Sequence, residues 1–91
     1  MNAEIWNKNK WIDETDKDTL VNYYNALLKV CGFRVLNYIG HDFSPQGFTG
    51  LWLLGESHFA IHTFPEFNKT YIELSSCNLE YFVNFLQKNI Y

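Results

Sequence analysis

Residues 55–66, Gly-Glu-Ser-His-Phe-Ala-Ile-His-Thr-Phe-Pro-Glu, place a serine behind a carboxylate, two histidines four apart and a Pro-Glu pair in one short run. Cys77 follows about one strand later. Serine and cysteine become nucleophiles when a neighbouring base and a charge-stabilising environment activate them, and histidine titrates in the range where protons move near neutrality. The run therefore holds the residue types for acyl chemistry at Ser57, proton transfer at His62 and thiol chemistry at Cys77. Each also has a plainer reading. Ser57 beside a turn bonds its own backbone, Cys77 packs as a small apolar group, and Glu66 in a loop is a solvated charge. Phe43, Trp52, Phe64 and Phe67 read as core by composition, and Cys31 lies on the apolar stripe of a helix.

Strand geometry restricts the histidines. In an extended segment His58, Ala60, His62 and Phe64 share one face, and Phe59, Ile61 and Thr63 share the other. At about 3.3 Å per residue, His58 and His62 stand roughly 13 Å apart. Zinc–nitrogen bonds are about 2 Å long, so the two cannot share one ion, and no metal is expected.

The elements that position these residues follow from pattern. Thr15-Asp16 supplies an N-cap with Asp18 in the first turn. Leu20, Tyr23, Tyr24, Leu27, Leu28 and Cys31 recur at helical spacing before Gly32, a natural C-terminal cap. Phe33 to Tyr38 reads as a strand, residues 41–47 as a loop, and Phe48 to Leu54 as a strand. Gly55-Glu56 forms a two-residue hairpin turn, with glycine first as type II′ prefers, and His58 to Phe64 returns. Tyr71 to Ser76 is a further strand. Asn78 caps a last helix whose apolar stripe is Leu79, Phe82, Val83, Leu86 and Ile90. Ile5 to Ile12 is a first strand interrupted by Asn7-Lys8-Asn9-Lys10. The predicted fold is α+β: a two-layer sandwich with a mainly antiparallel sheet and two helices on one face.

The chain of 91 residues reads as a single domain, 1–91, with no repeat or linker. Its formal net charge of −3 and scattered lysines and arginine argue against a nucleic-acid partner, which would need a basic patch. No apolar run approaches the ~20 residues of a membrane span, and no signal-peptide core is present near the start. Two cysteines do not make a disulfide framework. These features predict a cytoplasmic protein. Aromatics at 19% supply surface for self-association, so a homo-oligomer is expected.

The segments His41-Asp42-Phe43, Gly47-Phe48-Thr49-Gly50, Glu56-Ser57-His58, residues 61–66 and Cys77 together resemble the prokaryotic, pyruvoyl-dependent S-adenosylmethionine decarboxylases, in the family's order and over about half of the chain. The resemblance implies that the Glu56–Ser57 bond self-cleaves and that Ser57 becomes the pyruvoyl cofactor. It implies that His62 and Thr49 assist this processing, Thr49 standing where the family has a serine, and that Cys77 donates a proton during decarboxylation. Phe43 matches a ring that stacks on adenine, Phe64 stands in place of a common tryptophan before Pro65, and Glu66 matches the carboxylate that holds the ribose hydroxyls. The family's first strand is more apolar than Ile5 to Ile12, the region before Gly32 is shorter here, and the family usually continues into a further strand beyond the position of Tyr91.

Two activities are consistent with this resemblance. The first is S-adenosylmethionine decarboxylation, which supplies aminopropyl groups for polyamine biosynthesis. The alternative is an unprocessed homologue without a cofactor. It would bind S-adenosylmethionine or a nucleotide conjugate through Phe43, Phe64 and Glu66, and either cleave it to methylthioadenosine by proximity or only sequester it.

Overall fold

The computed structural model describes residues 3–91. Its elements are β1 (Trp6–Ile12), α1 (Lys17–Cys31), β2 (Val35–Asp42), β3 (Phe48–Leu54), β4 (Ser57–Phe64), β5 (Lys69–Ser76) and α2 (Leu79–Lys88), with a short 3-10 turn at Pro65–Phe67. The strands form one sheet in the order β1-β5-β4-β3-β2, every neighbouring pair antiparallel. The expected α+β two-layer architecture is what is found.

Helix α1 forms where its caps dictate. Asp16 accepts the Thr19 N–H at 3.0 Å and the Thr19 hydroxyl at 2.7 Å, satisfying one of the free donors of the first turn. Gly32 ends the helix at φ +113°, and a Cβ there would stand 2.5 Å from the Tyr81 ring. Leu20, Tyr24, Leu27, Leu28 and Cys31 are buried. Burial also holds the Cys31 thiol above its ordinary pKa, as suits a packing role.

Phe59, near the Ser57 end of the central strand, ties both layers together. Its ring lies 4.7 Å from Tyr24 of α1, 5.4 Å from Phe85 of α2 and 5.5 Å from Trp52 of β3, measured between centroids. Both helices therefore pack on the face that presents Trp52, Phe59 and Ile61. The opposite face is open. It presents Ile39, Leu51, Leu53, His58, Ala60 and His62, with Ile39, Leu51 and Leu53 all exposed.

Four expectations need correction. Of the predicted α2 stripe Phe82 is buried as expected, but Leu79, Val83, Leu86 and Ile90 are exposed, and the helix buries Phe85 beside Phe82. The two stripes lie roughly a quarter turn apart on the helix, and the larger rings, which reach Tyr24 and Phe59, set its rotation. Phe43 and Phe67, read as core, are 51% and 71% exposed on loops. Strand β2 continues through His41 and Asp42, which pair with Thr49 and Phe48 rather than opening the loop. In the β3–β4 turn the residue with positive φ is Glu56, at +58°, and not Gly55.

Among the described residues no helix is long and apolar enough to cross a membrane.

Candidate functional site

At one end of β4 the chain turns through Gly55-Glu56 into Ser57. Glu56 takes a left-handed backbone conformation, uncommon for a residue with a Cβ and costing about 1 kcal/mol or more. It persists because both flanking strands are fixed by the sheet. The Glu56 carbonyl accepts the Cys77 N–H at 3.3 Å, which draws the end of β5 against the turn. Ser57 is buried and lies directly across from Ser76, to which its hydroxyl donates at 2.8 Å. Its bond is thus to a neighbouring strand's side chain and not to its own backbone. Cys77 is a free, exposed cysteine, which corrects the reading of it as a buried small group. A cavity of about 120 Å³ lies between Glu56, Ser57, Ser75 and Cys77.

The other end of β4 is built from different materials. His62 and Thr49 are cross-strand partners, and Thr49 Oγ1 lies 2.9 Å from His62 Nδ1. Phe43, Phe64 and Glu66 line the same hollow, a cavity of about 350 Å³ together with Gln46 and Thr63. The loop that carries Phe43 is closed by its N–H to the Gly47 carbonyl at 2.8 Å, and Gly47 has φ +103°, where glycine is favoured. Phe64 packs against Trp11 of β1 at 5.8 Å, and Trp11 against Tyr71 at 5.2 Å. Desolvation and the nearby Glu73 carboxylate hold the Tyr71 hydroxyl above its ordinary pKa.

The residues singled out from the sequence therefore fall into two groups. Glu56, Ser57 and Cys77 meet at one end, and Thr49, His62, Phe43, Phe64 and Glu66 meet at the other. Ser57 and His62 are about 16 Å apart along the strand at ~3.3 Å per residue, and their side chains point to opposite faces of the sheet. Within one chain, His62 cannot serve as a base for Ser57. Three contributors were missed. Ser76 could have been found by counting outward from the Pro65–Asn68 connection, since pairing Phe64 with Lys69 forces Ser57 onto Ser76. Trp11 carried no signal beyond being aromatic, and Gln46 none at all.

The pattern described as S-adenosylmethionine decarboxylase matches residues 3–90. The chain belongs to the S-adenosylmethionine decarboxylase family. An S-adenosylmethionine decarboxylase proenzyme of Prochlorococcus marinus (strain MIT 9211) is 51% identical over 49 residues, covering 54% of this chain and 40% of that protein. A protein of the same name from Methanococcus maripaludis (strain C5) is 35% identical over 75 residues, covering 81% of this chain and 60% of the relative. The chain thus spans about half the length of these family members. The crystal structure of the adenosylmethionine decarboxylase from Aquifex aeolicus VF5 superimposes with a TM-score of 0.77 at 18% identity, covering 96% of this chain and 78% of that one, so the fold is that of the family.

Proposed function

We propose that this chain is the self-cleaving precursor of a pyruvoyl-dependent S-adenosylmethionine decarboxylase, a cytoplasmic enzyme feeding aminopropyl groups into polyamines. The observation that carries the reading is the state of the Glu56–Ser57 bond. Its carbonyl is polarised by the Cys77 N–H, its first residue is held in a left-handed conformation, and its serine hydroxyl is desolvated beside it. Those features favour attack of Ser57 Oγ on the Glu56 carbonyl carbon, since a donor aimed at the oxygen stabilises the charge that develops there. The ester so formed then loses its Glu56 carboxylate by β-elimination across Ser57, and the dehydroalanine left behind tautomerises to an imine that takes up water and releases ammonia, leaving the keto group. A pyruvoyl group formed at residue 57 supplies an electron sink for the loss of carbon dioxide.

The far end of β4 suits recognition. Phe43 and Phe64 offer faces for an adenine ring and for a sulfonium cation, and Glu66 offers a carboxylate for ribose hydroxyls. His62, its ring fixed by Thr49, acts in processing, and Cys77 places its thiol at the Ser57 end as proton donor.

The separation of the two ends calls for a second copy of the chain. The open sheet face exposes Ile39, Leu51 and Leu53, a contiguous apolar surface of the kind that marks an interface. Stacking two such faces about a two-fold axis across the strands would lay the β3–β4 turn of one copy beside the partner's His62, which would reach the Glu56–Ser57 bond around the end of the strand, since the Ser57 hydroxyl itself points to the helix face. The homo-oligomer then completes two sites at once. Mixing Ser57→Ala chains with His62→Ala chains tests this: cleavage of the His62→Ala chain should recover, and persistent failure would rule the shared site out.

Intact-mass measurement on purified protein decides the function itself. Two fragments, 1–56 and a pyruvoyl-capped 57–91, with carbon dioxide released from carboxyl-labelled S-adenosylmethionine, are expected. A single full-length species that converts S-adenosylmethionine to methylthioadenosine would instead establish cofactor-free cleavage. None of the relatives above carries that activity in its name.

A further inference from the structure

The Ser57 hydroxyl belongs to a short chain of polar contacts around the end of β5. Ser76 Oγ accepts the Asn78 N–H at 2.9 Å and donates to the Asn78 carbonyl oxygen at 3.2 Å. A serine hydroxyl has one proton and two lone pairs. With its proton committed to Asn78, Ser76 can only accept from Ser57, as it does at 2.8 Å. The Ser57 proton is therefore directed at Ser76. Among the described residues no donor occupies the Ser57 lone pairs. Register makes this contact obligatory, because Ser57 and Ser76 are cross-strand partners, and their 8% and 1% exposure keeps water from competing for the hydroxyl.

We infer that Ser76 is a positioning residue for self-cleavage, an inference that rests on the reading of Ser57 given above. The step balances within the chain. The bond formed joins Ser57 Oγ to the Glu56 carbonyl carbon, the bond broken is that between this carbon and the Ser57 nitrogen, and the Oγ proton ends on that nitrogen. Ser76 enters none of these bonds. It selects the Ser57 rotamer and draws the hydroxyl proton to one side, leaving the lone pairs available for attack. The next residue, Cys77, donates its N–H to the Glu56 carbonyl. Two consecutive residues at the end of β5 thus serve the two reacting partners, one the nucleophile and the other the electrophile.

Ser76 also anchors the entry to α2, so the test must separate positioning from packing. Asn78→Ala provides the control. It removes the side chain that caps α2 by accepting the Tyr81 N–H at 3.0 Å, yet leaves the Asn78 backbone bonds to Ser76. Full-length chains made in a cell-free system would be sampled over time by intact mass, with thermal unfolding recorded for each variant. Ser76→Ala is expected to slow cleavage on the order of 10²-fold, the scale of a misplaced reacting group. Ser76→Cys, which preserves size but accepts poorly, should slow it comparably. Ser76→Thr, which restores the hydroxyl, should stay close to wild type. Asn78→Ala should cleave at nearly the wild-type rate despite a lower Tm. Hydroxylamine, which cleaves esters and spares amides, should release no extra fragment from Ser76→Ala, because the block precedes the ester. Wild-type cleavage rates in Ser76→Ala and Ser76→Cys, equal slowing in Asn78→Ala, or ester accumulating in Ser76→Ala would each overturn the inference while sparing the proposed function. A wild-type chain that never cleaves would overturn both.

Discussion

The two ends of strand β4 solve different problems. The Ser57 end is made of backbone and small hydroxyls: a turn carbonyl, an amide from the neighbouring strand, and two buried serines. The His62 end is made of rings and a carboxylate, shared between strands β3 and β4 and the segments around Phe43 and Glu66, and bounds a cavity about three times the volume. Chemistry on the chain itself needs rigid placement, which the sheet interior gives at no cost in side-chain freedom. Recognition of a flexible ligand needs surface of several kinds, which loops provide. One strand connects both, and Phe59, two residues from Ser57, holds it between the helices and Trp52.

If this division holds, the two ends can be broken separately. Ser57→Ala should abolish fragmentation completely while leaving affinity for S-adenosylmethionine, measured by calorimetry, largely in place, because Phe43, Phe64 and Glu66 remain; loss of both would mean that the Ser57 hydroxyl also carries binding. Phe59→Ala should remove both functions together by destabilising the shared strand by about 3–5 kcal/mol, read from urea unfolding. Phe43→Ala should weaken ligand binding by about 1–3 kcal/mol, the scale of a lost base-stacking ring, with the cleavage rate intact. Leu86→Ala, on the exposed stripe of α2, should change stability by no more than about 0.5 kcal/mol; a core-sized loss would show that this stripe is covered. The smallest effect belongs to Asp16, the N-cap of α1, which lines neither cavity. Hydrogen bonds from the Thr19 hydroxyl and amide hold its carboxyl below the ordinary value of 3.8. Its contribution to stability is therefore fully present above that value and lost as pH falls through the lowered one. Asp16→Ala should flatten this part of the acid-unfolding curve without altering cleavage or binding.

Much of this architecture was legible from local signals. The caps of α1, the alternation along β4 and the two-residue turn each reflect backbone chemistry that a short window captures. The rotation of α2 was not, because its two apolar stripes compete and only the tertiary contacts of Phe85 decide between them. Phe43 and Phe67 are apolar by type and exposed by position, and composition cannot tell the difference. The candidate residues came from family resemblance, but their division was accessible to simple arithmetic. The reasoning that separates His58 from His62 also separates Ser57 from His62, and strand parity puts that pair on opposite faces. Ser76 required the register of β4 on β5, a relation between two segments rather than a property of either.

The order of the strands has a mechanical consequence for a chain cut between Glu56 and Ser57. The piece before the cut contributes β1, β2 and β3, and the piece after it contributes β4 and β5. Since the sheet runs β1-β5-β4-β3-β2, the later piece is flanked on both edges by strands of the earlier one, hydrogen-bonded along all seven residues of β1 and all seven of β3. The two pieces would be interleaved like a tongue in a groove, and drawing them apart would require unzipping two ladders on opposite sides at once. Severing the backbone there opens a new chain end without loosening the scaffold that holds it.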